Sequence, residues 1–274
     1  SFKKGGPGVG REVLVEGLKL GEGPRWRDGW LWFSDIHGHQ VRRVDDSGRS
    51  ELLAETTGRP SGLGFTAAGE LLIVSMDEKR LLKLEAPGRL GVVADLSGLA
   101  VGILNDMAVD ARGNAYIGSM GYDLFAGGEP RPGNVILVEP SGAARVVAEE
   151  MTSPNGPAIT PDGRTYIVAE SGARRLTAFD IEGDGSLSNR RLYADLPGVS
   201  PDGIALDAEG ACWVASPVSQ EFVRVRPGGE VTDRISLPGK LPLACALGGG
   251  DGHTLFLCIT EGDWRTGETT SVIE

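Results

Sequence analysis

A six-fold internal repeat restricts the fold of this chain more than any other feature. Each copy has an apolar alternating stretch, a turn ending in glycine, and a second apolar stretch. Aligned on the turn glycine, SGLGFTAAGELLIVSM from Ser61, NDMAVDARGNAYIGSM from Asn105 and NGPAITPDGRTYIVAE from Asn155 share this frame. DGIALDAEGACWVASP from Asp202 and ACALGGGDGHTLFLCI from Ala244 continue it, and EGPRWRDGWLWFSDI from Glu22 is the same unit with a turn one residue shorter. The copies start 39, 44, 50, 47 and 42 residues apart, the spacing of four-stranded propeller blades.

Each copy is followed by a third apolar stretch, at 40–44, 81–84, 134–138, 176–179, 222–225 and 271–273. A fourth follows the first five, at 51–54, 91–94, 145–148, 191–194 and 231–236. The sixth copy lacks one, and residues 12–16 are available to supply it, which would leave no sheet edge open between blades. The expected fold is therefore all-β: one domain over 1–274, a six-bladed β-propeller of four-stranded blades, its ring closed by an N-terminal strand. The 42 Gly and 16 Pro, spread along the whole chain, suit short strands joined by frequent turns.

Several function classes recede. A net charge of −11 is wrong for a nucleic-acid surface. No apolar run approaches the ~18 residues of a membrane span. The polar stretch Ser1-Phe2-Lys3-Lys4-Gly5-Gly6 has no signal-peptide core, so the expected location is cytoplasmic, although a signal removed earlier would leave no trace. Cys212, Cys245 and Cys258 are widely spaced in apolar segments and read as buried reduced thiols. There is no G-x-S-x-G elbow, P-loop or dinucleotide fingerprint, and hence no sign of a covalent serine mechanism or a nucleotide cofactor. The expected partner is a small-molecule substrate.

In a propeller the first strand of each blade lines the central channel, so one repeat position recurs around a single ring. Here that position holds Glu22, Ser61, Asn105, Asn155, Asp202 and Ala244. Two carboxylates converging on one axis would repel each other, and a divalent cation would cancel both charges while the amides supply further oxygens. The all-oxygen set favours Ca²⁺, with Mg²⁺, Mn²⁺ or Zn²⁺ as alternatives. His37, His39 and His253 fall outside the ring and read as surface or packing residues. The loops returning to this face are expected near 35–39, 75–80, 119–133, 169–174, 216–220 and 259–269. The third is long and partly aromatic, and the sixth carries Trp264.

The chain resembles the SMP-30/gluconolactonase/LRE family. The matching stretches are Gly21-Glu22-Gly23-Pro24-Arg25-Trp26, Asn105-Asp106, Ser153-Pro154-Asn155-Gly156 and Pro201-Asp202-Gly203-Ile204, in family order across nearly the whole chain. The resemblance implies that Glu22, Asn155 and Asp202 bind a divalent metal, that Asn105 serves metal or substrate, and that the activity is that of a lactonase. Regucalcin-type sugar lactonases carry an arginine two residues before the Asn-Asp pair, and here that residue is Ile103. An aliphatic side chain there points to a substrate less polar than a sugar lactone. Met76, Met120, Tyr122, Phe125 and Trp264 are expected near the same mouth, with Ile103 and Met120 against substrate and Asp123 a further substrate contact.

The expected chemistry is metal-dependent lactone or ester hydrolysis. Asp202 is the first candidate for the base. Asp106 is the second, since four of its five repeat equivalents are glycine, although it suits a hydrogen-bonding role behind the ligands equally well. A non-catalytic metal- or ligand-binding propeller and a phosphotriesterase-like hydrolase remain the alternatives.

Overall fold

The computed structural model describes residues 10–250 and 252–274. The Ser1–Gly6 stretch, read above for a signal, lies outside the described residues. Strand β1 (Val15–Leu18) precedes the first blade, formed by β2 (Gly21–Arg27), β3 (Trp30–Asp35), β4 (Gln40–Asp45) and β5 (Ser50–Glu55). Blade two is β6 (Pro60–Phe65), β7 (Leu71–Ser75), β8 (Arg80–Ala86) and β9 (Arg89–Asp95). Blade three is β10 (Leu104–Val109), β11 (Ala115–Ser119), β12 (Gly133–Val138) and β13 (Ala144–Met151). Blade four is β14 (Pro154–Ile159), β15 (Thr165–Glu170), β16 (Arg175–Ile181) and β17 (Leu187–Asp195). Blade five is β18 (Ile204–Leu206), β19 (Cys212–Ser216), β20 (Glu221–Val225) and β21 (Val231–Ser236). Blade six is β22 (Leu241–Gly248), β23 (Thr254–Asp263) and β24 (Glu268–Ile273), completed by β1.

All six sheets are four-stranded and antiparallel, and the first strands touch in succession from β2 through β6, β10, β14, β18 and β22 back to β2. The protein is a six-bladed β-propeller. Turn chemistry sets the blade geometry: in blade five, Asp207 Oδ1 accepts the amides of Glu209 at 2.9 Å and Ala211 at 3.0 Å, and Gly210 supplies the left-handed φ of 78°. The alternating apolar residues meet between blades. One buried cluster fills each of the six interfaces, and a seventh lies at the loop face. The three cysteines are buried and free, each inside an interface cluster. Among the described residues no helix is long and apolar enough to cross a membrane.

Two expectations need correction. The closing strand runs over Val15–Leu18 rather than 12–16, with Val15 opposite Ile273 and Leu18 opposite Ser271. Leu14 adds a backbone bond to the Ile273 carbonyl at 2.8 Å. The shift buries Leu18 and leaves Val13 51 % exposed, because the apolar side chain needed at the blade one interface is Leu18. The sixth loop is also much shorter than 259–269. Polar residues 260–263 read as loop, yet Thr260, Glu261, Gly262 and Asp263 pair with Ser271, Thr270, Thr269 and Glu268, so only 264–267 turn.

Candidate metal centre and its roof

The six repeat-position residues share one end of the channel because the first strands pack against one another almost without side chains. At the next position, Gly62 shows why: a Cβ there would stand 2.5 Å from Met107 N and 2.7 Å from Asp106 Oδ1. Close approach of this kind tolerates only glycine. The preceding residues meet at one end of the channel: Ser61 bonds Asn105, Asn155 bonds Asp202, and the Asp202 charge acts on Glu22, with Ala244 a buried apolar member.

The ring is electrostatically strained. Burial, then the Asp202 and Asp106 charges, raise the Glu22 carboxyl well above the carboxylate range. Asp202 is pushed up to about 8, first by burial and then by Asp106, with a hydrogen bond from Asn155 opposing the rise. Glu22 Oε2 also accepts the Gly23 amide at 2.7 Å. Asn155 is steered by the short 3₁₀ turn at Ser171–Ala173: its Nδ2 donates to Ser171 Oγ at 3.3 Å, and Ser171 in turn donates to the Pro201 carbonyl at 2.6 Å. Asn105 accepts from Ser61 Oγ at 3.3 Å and donates to Met120 Sδ at 3.2 Å, so the ring is joined directly to the loop face.

Asp106 has a different partner. Its Oδ1 accepts from Arg25 Nη2 at 2.7 Å and from the Met107 amide at 2.8 Å. Burial raises its pKa, and the Arg25 charge opposes that rise. Arg25 Nη2 also donates to the Met107 carbonyl at 2.6 Å and Nη1 to the Pro24 carbonyl at 2.9 Å. The guanidinium therefore crosses from blade one to blade three, and on its far side it lines a cavity of about 620 Å³ opening at the opposite face. This cross-channel contact, absent from the expectations above, lies between the ring residues and that cavity. The sequence signal was a charged residue three positions after Glu22 on a channel-lining strand.

The charges of the donor set suit a divalent cation. With every group ionised, the acids Glu22, Asp106 and Asp202 and one arginine leave a residual of −2, carried by the Glu22 and Asp202 carboxylates, whose charges oppose each other. Two carboxylates with neighbouring amide oxygens are hard donors and fit Ca²⁺ or a similar ion. Among the described residues, no three His, Cys, Asp or Glu side chains converge as a metal cluster. That agrees with Asp106 being drawn aside by Arg25.

Above the ring lies an apolar roof. Leu20, Ile36, Met76, Ile103, Met120 and Leu243 form one buried cluster, with Tyr122, Leu124, Phe125, Leu241 and Trp264 packed against it. Ile103 and Met120 are only 3 % and 4 % exposed and are joined by a backbone bond of 2.9 Å. The blade three loop reaches across the face: the Phe125 ring lies 5.3 Å from His37 and 6.0 Å from Trp264, and the Arg59 guanidinium stacks 4.5 Å over it. His37 Nε2 meets the Trp264 carbonyl at 2.7 Å, so this histidine fastens the roof. The Asp123 carboxylate turns the loop, its Oδ1 accepting the amides of Phe125 and Ala126, each at 3.0 Å.

Comparison with known proteins finds relatives over most of the chain. The model for the SMP-30/Gluconolactonase/LRE-like region matches residues 20–261. A 6-deoxy-6-sulfogluconolactonase from Pseudomonas putida is 29% identical over 252 residues, covering 89% of this chain and 84% of its own. The solved structure of regucalcin from Agrobacterium tumefaciens, described as a calcium-binding protein, superposes with a TM-score of 0.78 at 25% identity, covering 95% of this chain and 92% of the other. A luciferin-regenerating enzyme shares the fold, with a TM-score of 0.80 at 20% identity over 95% of this chain and 92% of the other.

Proposed function

The chain belongs to the SMP-30/gluconolactonase/LRE-like family, and on that premise we propose that it is a divalent-metal-dependent lactonase-type hydrolase for small lactones or esters less polar than a sugar lactone. The observation that carries the substrate class is the apolar roof, in which Ile103 and Met120 are buried beside the ring that holds Glu22, Asn155 and Asp202. A polyhydroxylated ring under those side chains would leave hydroxyls without partners, whereas an alkyl-substituted lactone would bury its carbon there.

The reading takes Glu22, Asn155 and Asp202 as ligands, with Asn105 completing or flanking the set. Ca²⁺ is the preferred ion, supported by the oxygen donors and by the calcium-binding description of the regucalcin relative. A cation so held would supply polarisation of the substrate carbonyl. The remaining work falls to side chains. Asp202 accepts a proton from the attacking water and returns it to the ring oxygen as the C–O bond breaks, which gives a hydroxy acid. Asn155, hydrogen-bonded to Asp202 and anchored by Ser171, fixes the orientation of that carboxylate. Asp106, ion-paired to Arg25, stays behind the ligands as a positioning group. The roof keeps bulk water from the reacting carbon and orients the alkyl portion.

The test compares kcat/KM for an aliphatic γ- or δ-lactone with that for gluconolactone, using EDTA-treated protein with and without added Ca²⁺. A preference of at least about tenfold for the aliphatic substrate is expected, since each methylene contributes ~1–3 kcal/mol in an apolar pocket. Ile103→Arg should move the ratio toward the sugar. A parent enzyme that prefers gluconolactone would overturn the substrate class. Tight Ca²⁺ binding without turnover of lactones, esters or phosphotriesters would leave the protein a binding module.

A further inference from the structure

Three acidic side chains, Glu22, Asp202 and Asp106, lie within electrostatic reach of one another at this end of the channel, yet a divalent cation neutralises only two charges. The third, Asp106, occupies a place that the tight strand packing makes for it: its Oδ1 lies where a Cβ on Gly62 would come within 2.7 Å. From there it reaches Arg25, two blades away, at 2.7 Å. The contact does not belong to the apolar interfaces between adjacent blades, and it lies on the channel between the ring and the opposite cavity.

We propose that Arg25 is an internal counter-ion that sets the valence preference of the central site: by ion-pairing Asp106 across the channel, it leaves Glu22 and Asp202 as a net charge of −2, matched to one divalent cation. The inference rests on the metal-binding reading above and adds a role for residues that do not touch the ion. Arg25 is suited to it because its guanidinium presents several donors in a rigid plane and, with Nη2 shared between Asp106 and the Met107 carbonyl, is fixed in position. It also holds Asp106 away from the ring, so the carboxylate that would otherwise favour a trivalent ion is already satisfied.

The experiment measures dissociation constants for Ca²⁺ and Tb³⁺ by calorimetry and terbium luminescence on metal-free protein, with circular dichroism confirming the fold. Removing one unit of fixed positive charge acts more strongly on a trivalent than on a divalent ion. Arg25→Met should therefore raise the preference for Tb³⁺ over Ca²⁺ by about tenfold or more. Arg25→Lys should stay close to the parent, and Arg25→Met with Asp106→Asn should return to it. Asp106→Asn alone, a near-isosteric change that keeps the channel filled, should shift the preference the other way, toward lower charge, and weaken Ca²⁺ binding. If the Tb³⁺ to Ca²⁺ ratio of folded Arg25→Met and Asp106→Asn both stay within about threefold of the parent, Arg25 is only a structural brace and the inference falls. If the parent binds neither ion, the metal reading itself falls.

Discussion

The ring should behave as a proton–metal exchanger, and the structure gives the size and the sign of the effect. In the metal-free protein, burial and the neighbouring Asp106 charge push Asp202 up to about 8, so near neutrality it holds a proton that an entering cation must displace. Below that value, each pH unit costs about 1.4 kcal/mol, or tenfold in affinity. Glu22, also raised well above its ordinary range, adds to the slope. Calcium affinity should therefore climb at least tenfold from about pH 6 to 7 and level off above about 8. Stability has the opposite sign. A carboxyl whose folded pKa exceeds its unfolded one favours the fold while protonated, so the metal-free protein should lose stability as pH rises from the ordinary carboxylate range to about 8 and level off above it, and Ca²⁺ should restore it. Calorimetric titration in two buffers of different ionisation enthalpy counts the protons released, and thermal unfolding with and without Ca²⁺ reads the stability. Asp202→Asn removes one exchangeable proton with little change of shape, so it should reduce the pH dependence to the part that Glu22 contributes and weaken binding. An affinity flat between about pH 6 and 8, with no proton released on binding, would refute the reasoning.

Two further outcomes test the frame around the site. Gly62→Ala places a Cβ 2.5 Å from Met107 N and against Asp106 Oδ1, so it should cost about 1–3 kcal/mol in thermal unfolding and loosen the Arg25–Asp106 pair. Leu18→Ala should cost about 2–4 kcal/mol because Leu18 is 6 % exposed at the ring closure, whereas Val13→Ala, at a half-exposed position, should be nearly silent in the same melt.

The fold was legible because a blade cannot bury its faces alone. Every copy must repeat the same alternation and the same turn glycine, and six copies at blade spacing leave few other architectures. The ring set was legible for a related reason: one repeat position maps to one height in the channel, so Glu22, Asn105, Asn155 and Asp202 could be grouped from residues far apart in the chain. Arg25 was not legible. Its partner is 81 residues away and two blades on, and only the packing of Gly62 against blade three brings them together. The sixth loop was overread because Thr260 to Asp263 are polar, and polar residues can still pair where a hairpin extends beyond the blade core. Asp123 was matched to a substrate-facing carboxylate through the family resemblance, and the fold adds a role that the sequence did not show: its Oδ1 accepts the amides of Phe125 and Ala126.

Ring closure by β1 also orders events on the ribosome. The Gly21 amide beside this strand bonds Ser271 Oγ, 250 residues later in the chain. Residues 15–18 therefore emerge long before their partner, and no earlier folding event completes the ring, however soon each blade hairpin forms. Throughout that wait the segment is an unpaired strand, the kind of edge that recruits wrong partners. Its composition limits the hazard: four residues, one of them Glu16, with Gly17 at a φ of 78° that breaks the extended run. A longer and more apolar latch would hold the finished ring more firmly, but it would expose each nascent chain to its neighbours on a polysome while the remaining blades were still being made.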